Sequence, residues 1–167
     1  MEYEYLSTIG QDSHRFEDGL RSHDNFLMLG GVKIPFEKKF SANSDGDVVL
    51  HALNNAISGY TGINILGGLA DRLCLEDGIK DSSVFLKEGL KDLGDAKITH
   101  VSISIECLRP KIMPHIPAMR ARLSELLGIP GERIGITATT GEGLTGFGRG
   151  EGVQVLAVMT FRIPLSE

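Results

Sequence analysis

Asp12, His14 and His51 are the residues whose types and spacing first suggest chemistry. Asp12 and His14 lie two positions apart in Gly10-Gln-Asp-Ser-His-Arg-Phe16. Tyr3 to His14 reads as a first strand, so the two side chains point to one face. Asn43-Ser-Asp-Gly-Asp47 reads as a helix start, with Ser44 as N-cap and Asp47 at the capping-box position. His51 then falls about two turns into that helix. Asp47, one turn earlier on the same face, is placed to orient its ring. One carboxylate and two imidazoles make a three-ligand zinc set, and an open fourth position belongs to a catalytic site. The spacing by itself also fits an ordinary, partly buried histidine.

Two further stretches carry candidate chemistry. Ala138-Thr-Thr-Gly-Glu-Gly-Leu-Thr-Gly-Phe-Gly-Arg-Gly-Glu-Gly152 places hydroxyls and glycine N–H groups at a strand end, which suits a phosphate cradle. Glu142 offers a carboxylate for magnesium, and Arg149 a bidentate fork. The loop lacks the Gly-Lys-Ser/Thr ending of a P-loop, and it leads into a strand, unlike a dinucleotide fingerprint. Taken alone it also fits a glycine-rich hairpin with solvated charges. Glu106-Cys-Leu-Arg-Pro-Lys-Ile-Met-Pro-His-Ile116 follows a strand and opens a helix. Its backbone can read a base edge and Lys111 can meet phosphate. It fits equally a proline-bounded helix start.

The elements that must position these groups follow from pattern. Phe26 to Phe36 reads as a hairpin turning at Gly30-Gly31. Val49, Leu53, Ala56 and Ile57 recur at helical spacing. Gly59 to Lys80 reads mostly as loop. Asp81 to Leu93 reads as a helix, Ile98 to Cys107 as an alternating strand, and Met113 to Leu127 as a helix with its prolines in the first turn and Gly128 as its stop. Ile134 to Thr140 and Val153 to Arg162 read as strands. The order implies a mixed sheet covered by helices, in an α/β or α+β layout.

The chain's 167 residues suit one domain, 1–167, with a real core. A formal charge of -5 argues against a general nucleic-acid binder. It leaves room for an anionic small molecule held by metal ions, helix N-termini and a few cations. No apolar run approaches a membrane span, and the acidic start is unlike a signal peptide. Cys74 and Cys107 read as reduced thiols of a cytoplasmic protein.

Together and in this order, "GQDSHRF", "LGGVKIP", "SDGDVVLHAL", "RPKIMPHIPAMRARLSELLGIP" and "ATTGEGLTGFGRGEG" make the chain resemble the 2-C-methyl-D-erythritol 2,4-cyclodiphosphate synthases nearly end to end. The resemblance implies a two-layer α+β fold: a four-stranded mixed sheet with helices on one face and a small hairpin. It implies a homotrimer with active sites between subunits. Zn2+, or another divalent ion, would sit on Asp12, His14 and His51. Mg2+ or Mn2+ held through Glu142 would sit on the substrate diphosphate. The substrate would be a CDP-linked methylerythritol 2-phosphate, whose own phosphate displaces CMP. Thr140 and Asn43 would act on the transition state beside Glu142. Ser44, Thr139, Gly141, Phe147 and Arg149 would hold substrate. Arg109, Pro110, Lys111, Ile112 and Met113 would read cytosine through their backbone. Arg149 with Glu151 matches a pair that the family places near its threefold axis.

The chain also departs from that family. Asn43 stands where the family has His, and Asn55 where it has Asp. The family's Phe-Pro-Asp-Thr-Asp loop is absent; a gapless count puts Ile65 at the sugar-binding Asp, with Asn64 or Asp71 as substitutes. Its Gly-Phe-Thr-Gly-Arg-Gly is here Thr-Gly-Phe-Gly-Arg-Gly. The altered loop also admits a related metal-dependent enzyme acting on another nucleotide diphosphate or phosphoester. A third reading is a non-catalytic trimer that binds metal, nucleotide or an isoprenoid diphosphate, and the intact triad weighs against it.

Overall fold

The computed structural model describes residues 2–19 and 25–165. Its frame is a four-stranded sheet in the order β1-β6-β4-β5. Strand β1 (Tyr3–Arg15) runs antiparallel to β6 (Gly152–Pro164) over its full length. Strand β6 is antiparallel to β4 (Lys97–Glu106), which is parallel to β5 (Ile134–Thr139). A parallel pair needs a crossover, and α4 (Ile116–Leu127) supplies it. The sheet is therefore mixed.

Alternation decides which face is covered. Val153, Val155, Ala157, Met159 and Phe161 of β6 are buried, as are Val101, Ile103 and Ile105 of β4. The intervening Leu156, Val158, Ser102 and Ser104 are exposed. The buried side carries α1 (Val48–Thr61), α3 (Ser82–Leu90) and α4 and encloses the main core. Among the described residues, nothing covers the other side. A separate hairpin, β2 (Phe26–Leu29) and β3 (Val32–Pro35), turns at Gly30-Gly31, both with positive φ.

Three expected boundaries shift. Helix α1 starts one turn later than expected: Asp47, not Ser44, is its N-cap, accepting from the Val49 and Leu50 N–H groups. Ser44 instead accepts from Gly46 N–H in a turn. The segment read as loop from Gly59 contains the end of α1 and a further helix, α2 (Gly68–Leu75). It forms because Ile65 and Ala70 pack with Phe85 of α3 in a second, smaller cluster. The helix from Met113 is split, with a 3-10 turn over Met113–His115 preceding α4 and accommodating Pro114. Among the described residues, no helix is long and apolar enough to cross a membrane.

Candidate metal centre

The centre forms where α1 crosses β1. The crossing is close because Gly10 has no side chain: a Cβ there would lie 1.9 Å from Ala52 O and 2.5 Å from Ala56 N. Thr8 Oγ1 donates to Ala56 O at 2.6 Å, and Asn55 Nδ2 donates to Gln11 O at 2.9 Å. These contacts bring His51, in the first turn of α1, against Asp12 and His14. The reactive atoms converge. Asp12 Oδ2 is 3.0 Å from His51 Nδ1 and 3.5 Å from His14 Nε2, and the two imidazole nitrogens are 3.4 Å apart. A tetrahedral ion with bonds of about 2.0–2.1 Å sets its donors about 3.3 Å apart. The three residues therefore have the spacing of a metal-ligand set.

Hydrogen bonding fixes which nitrogen of His51 faces inward. Asp45 is an acceptor for Asp47 N–H, Ser82 N–H and the Ser82 hydroxyl. The single Ser82 hydroxyl proton is thus committed to Asp45. Ser82 Oγ, 2.9 Å from His51 Nε2, must then accept from Nε2–H. That leaves the Nδ1 lone pair aimed at the Asp12 carboxylate and His14. Two acceptor atoms therefore face each other, and with His14 presenting its Nε2 lone pair the three favour a cation between them. Burial holds His14 below its ordinary pKa, with Asp12 pulling it back up. Neutral imidazole is the ligating form. The His14 ring rests on Phe40, which stacks on Phe16.

The donor set, its spacing and the Ser82–Asp45 support fit a divalent ion. Asp47, expected to orient His51, does something else. It is fully buried and receives Gly30 and Gly31 N–H at 2.9 and 2.7 Å, tying the hairpin turn to the start of α1. Burial pushes its carboxyl up to about 6, against the backbone donors that pull it down. The orienting role falls to Ser82 and Asp45, which sequence periodicity does not connect to His51.

A pocket of about 210 Å³ opens on the triad. Asn43 and Ser44 line one side, carried there by the short Phe16–Phe40 pairing and the Ser41 N–H bond to Arg15 O. Leu66, Gly67, Ala70, Asp71 and Cys74 of the α2 region line the other. Ile65, the gapless counterpart of a sugar-binding Asp, is buried in the second cluster. Asn64 is exposed outside the lining, whereas Asp71 faces the pocket region.

The remaining candidates gather elsewhere. Thr139, Thr140, Gly141 and Glu142 follow β5, and Arg109 to Met113 follow β4. The two loops are stitched together: Leu108 N–H donates to Phe147 O at 3.0 Å, and Cys107 N–H to Thr139 O at 3.1 Å. Glu106, which sequence reasoning did not single out, accepts from the Thr145 hydroxyl, and Thr145 Oγ1 accepts from Gly148 N–H. Glu142 has φ 51, the one positive φ outside glycine among the described residues. That geometry costs about 1 kcal/mol. Arg149 pairs with Glu151 at 3.1 Å, and Arg15 approaches the same carboxylate at 3.6 Å. Lys111 and Met113 are exposed while Ile112 is buried beneath them. Cys107 is buried, its thiol pushed up to about 11 by burial and then by Glu106, so it is no nucleophile at neutral pH.

The two groups of candidates share one end of the sheet but not one edge. Asp12 pairs with Val155, Val155 with Ile105, and Ile105 with Ala138. Three strand spacings, about 14 Å, therefore separate the triad from the Thr139–Glu142 turn.

The model of the YgbB family matches residues 6–162. A 2-C-methyl-D-erythritol 2,4-cyclodiphosphate synthase of Chlamydia trachomatis serovar L2b is 49% identical over 161 residues, covering 95% of this chain and 89% of that one. A solved structure of a 2C-methyl-D-erythritol-2,4-cyclodiphosphate synthase superposes with a TM-score of 0.77 at 37% identity, covering 93% of this chain and 99% of its own. A CDP complex of the Plasmodium falciparum protein IspF superposes with a TM-score of 0.79 at 25% identity, covering 97% of each chain.

Proposed function

The chain belongs to the YgbB family, and from that membership we propose that it converts 4-CDP-2-C-methyl-D-erythritol 2-phosphate into 2-C-methyl-D-erythritol 2,4-cyclodiphosphate and CMP. The observation that carries the reading is the convergence of Asp12, His14 and His51, in a chain 49% identical to a synthase of that name. The reaction is an internal phosphoryl transfer in isoprenoid biosynthesis. An oxygen of the 2-phosphate forms a bond to the β-phosphorus. The bond from the β-phosphorus to the bridging oxygen breaks, and CMP leaves with that electron pair. The nucleophile is already ionised and belongs to the substrate, so the protein's task is positioning and charge neutralisation. That accounts for a site in which Ser82, although bonded to His51 and through it to Asp12, gives its proton to Asp45 and supplies no nucleophile.

Asp12, His14 and His51 would hold zinc, and Glu142 would hold magnesium against the diphosphate. The ions would supply Lewis-acid polarisation of the phosphoryl oxygens. Asn43 and Ser44 would donate hydrogen bonds to the phosphate beside the triad. Asn43 replaces a possible cation with a neutral amide, so it orients an oxygen but carries no proton. Thr139, Thr140 and the N–H groups of the following turn would hold the leaving CMP phosphate. Backbone groups from Arg109 to Met113 would read the cytosine edge, with Ile112 anchoring that loop in the core. On the other wall, Asp71 would grip the methylerythritol hydroxyls in place of the missing Phe-Pro-Asp loop.

Both ions must reach one diphosphate, only a few ångströms across. The triad and Glu142 of a single chain lie at opposite sheet edges. We therefore assign each active site to two neighbouring copies, one giving the triad and the other the Thr140–Glu142 turn. The bare sheet face supports a homotrimer: Ile9 at 65%, Leu156 at 39% and Val158 at 41% exposure form an apolar strip there with no cover in one chain. Phosphorus NMR of the zinc- and magnesium-supplied protein with this substrate tests the reading. Cyclic diphosphate and CMP resonances are expected. A folded, zinc-loaded protein that leaves the substrate intact would overturn it.

A further inference from the structure

Glu106 ends β4, opposite Thr139 of β5. Alternation along β4 sends its side chain away from the core, opposite to Ile105, yet it is half-buried. The turn after β5 reaches over it. A Cβ on Gly141 would overlap Glu106 Oε1 and lie 3.0 Å from its Cδ. The carboxylate therefore fills the space that a side chain at position 141 would take. The Thr145 hydroxyl donates to the same oxygen, and Thr145 Oγ1 accepts from Gly148 N–H. Among the described residues, Glu106 enters no ion pair. Its partners all belong to the loop that carries Glu142.

That loop needs a brace. Gly141, Glu142 and Gly143 have φ of 71, 51 and 77, all left-handed and in succession. Glycine adopts such angles freely, whereas glutamate does not. The turn's own side-chain bonds are long: Gly141 N–H to Thr139 Oγ1 at 3.3 Å, and Glu142 N–H to Thr140 Oγ1 at 3.4 Å. A strained conformation persists where surrounding structure over-determines it. Two contacts from outside the turn do so. Gly148 packs on it backbone to backbone, since a Cβ there would meet Gly141 O and Gly143 N at 2.9 Å each. Glu106 fills the space beside Gly141 and, through Thr145, also holds Gly148. One carboxylate thus ties together both segments that shape the turn.

We propose that Glu106 is a positioning residue for Glu142: locked by Thr145 and seated against Gly141, it fixes the backbone from which Glu142 presents its carboxylate to a divalent cation. The inference rests on the function proposed above, in which that cation joins Glu142 to the substrate diphosphate. Carboxylate and phosphate oxygens are the donors that magnesium or manganese takes. Glu106 acts through Gly141 and Thr145, not on the cation. Shape and hydrogen-bond acceptance are what it must supply, so the role needs no solvent access and persists when a neighbouring copy covers this face.

The test compares E106A, E106Q and T145V with the parent, all full-length and zinc-loaded. Manganese affinity in the presence of CDP, read by electron paramagnetic resonance, should weaken about tenfold in E106A, as for other residues that support a ligand. The magnesium concentration at half-maximal turnover should rise by the same factor, while zinc content and the unfolding midpoint stay at the parent's values. E106Q keeps the shape and an acceptor for Thr145, so it should restore both readouts to within about twofold of the parent. T145V should shift both in the direction of E106A but less, and it decides the matter if E106A does not fold. In the parent, G141A drives a methyl into the carboxylate; in E106A that space is vacated, so the losses in the double variant should be less than additive. Parent-like manganese affinity in E106A and T145V would overturn the proposal. So would additive losses, or an E106Q as weak as E106A, since charge and not position would then be what Glu106 supplies. A parent that binds manganese with CDP and shows these losses but makes no cyclic diphosphate would overturn the proposed reaction and uphold the role of Glu106.

Discussion

The two walls of the metal-centre pocket are built in different ways. The wall made by β1 and α1 is over-determined. Helix α1 is buried from Val48 to Ala56 save for Asn55. Gly10 lets its backbone touch β1, and each of the three donors is braced by a ring, a strand or the Ser82–Asp45 pair. The wall made by α2 is light. It is eight residues long, starts at Gly67 without a side-chain cap, and buries Ala70 alone. Phe85 is its main anchor to the rest of the molecule. Metal-assisted phosphoryl transfer needs donors fixed to within a fraction of an ångström. In the proposed function the α2 wall grips a polyol, which needs only a few hydroxyl partners, so that wall can change in sequence without disturbing the metal-ligand set. The departures from the family's pattern around residues 62–80, beside an intact triad, follow this division.

The comparison breaks most visibly at the donors themselves. His51→Ala should remove bound zinc and reduce turnover to background while the protein keeps its fold and assembled mass. Metal analysis with circular dichroism and light scattering checks this; full zinc occupancy in the variant would remove His51 from the ligand set. Gly10→Ala should act on the wall rather than on one ligand. Its methyl meets backbone at Ala52 and Ala56, which cannot yield as a side chain does. A loss of about 3 kcal/mol in denaturant unfolding is expected, at the upper end for overpacking, together with weaker zinc binding. Ser82→Ala should be milder. It leaves His51 Nε2–H and one Asp45 acceptor position unpaired and frees the ring to change tautomer. Zinc affinity, measured by chelator competition, should weaken about 10- to 100-fold, as for other residues that support a ligand.

The order of these effects also marks what the sequence could reveal. Asp12 and His14 were legible because a strand has a period of two, and His51 because a helix start precedes it. The strands, the hairpin and the Gly128 stop were legible for the same local reasons. Three features were not. Several residues between Asn43 and Asp47 can cap a helix, and what selects Asp47 is the pair of N–H groups at Gly30-Gly31, 16 and 17 residues away. The Ser82–Asp45 support spans 31 and 37 residues and leaves no periodic trace. Helix α2 is short, glycine-flanked and mixed in polarity, so its order depends on Phe85, and only the fold brings that residue into range.

The smallest expected effect is the one that sharpens the contrast between the walls. Asp71 lines the pocket from α2; its N–H donates to Gly67 O at 2.7 Å, and its carboxylate enters no hydrogen bond or ion pair among the described residues. Its replacement by Ala removes a partner for substrate and nothing that holds the fold. A hydrogen bond from a hydroxyl to a carboxylate contributes about 1.5–3 kcal/mol, and solvent access to this exposed side chain puts the value at the low end. Asp71→Ala should therefore raise KM for the CDP-linked substrate about tenfold. The rate at saturation and the zinc content should stay close to the parent's, because the triad and the Thr140–Glu142 turn are untouched. Affinity for CDP alone should not change, since the proposed cytidine-binding groups lie in the loops after β4 and β5. A fall in zinc content would mean that α2 and the metal centre are one cooperative unit. An unchanged KM would move the polyol grip to another residue of this wall, with Asn64 the next to replace.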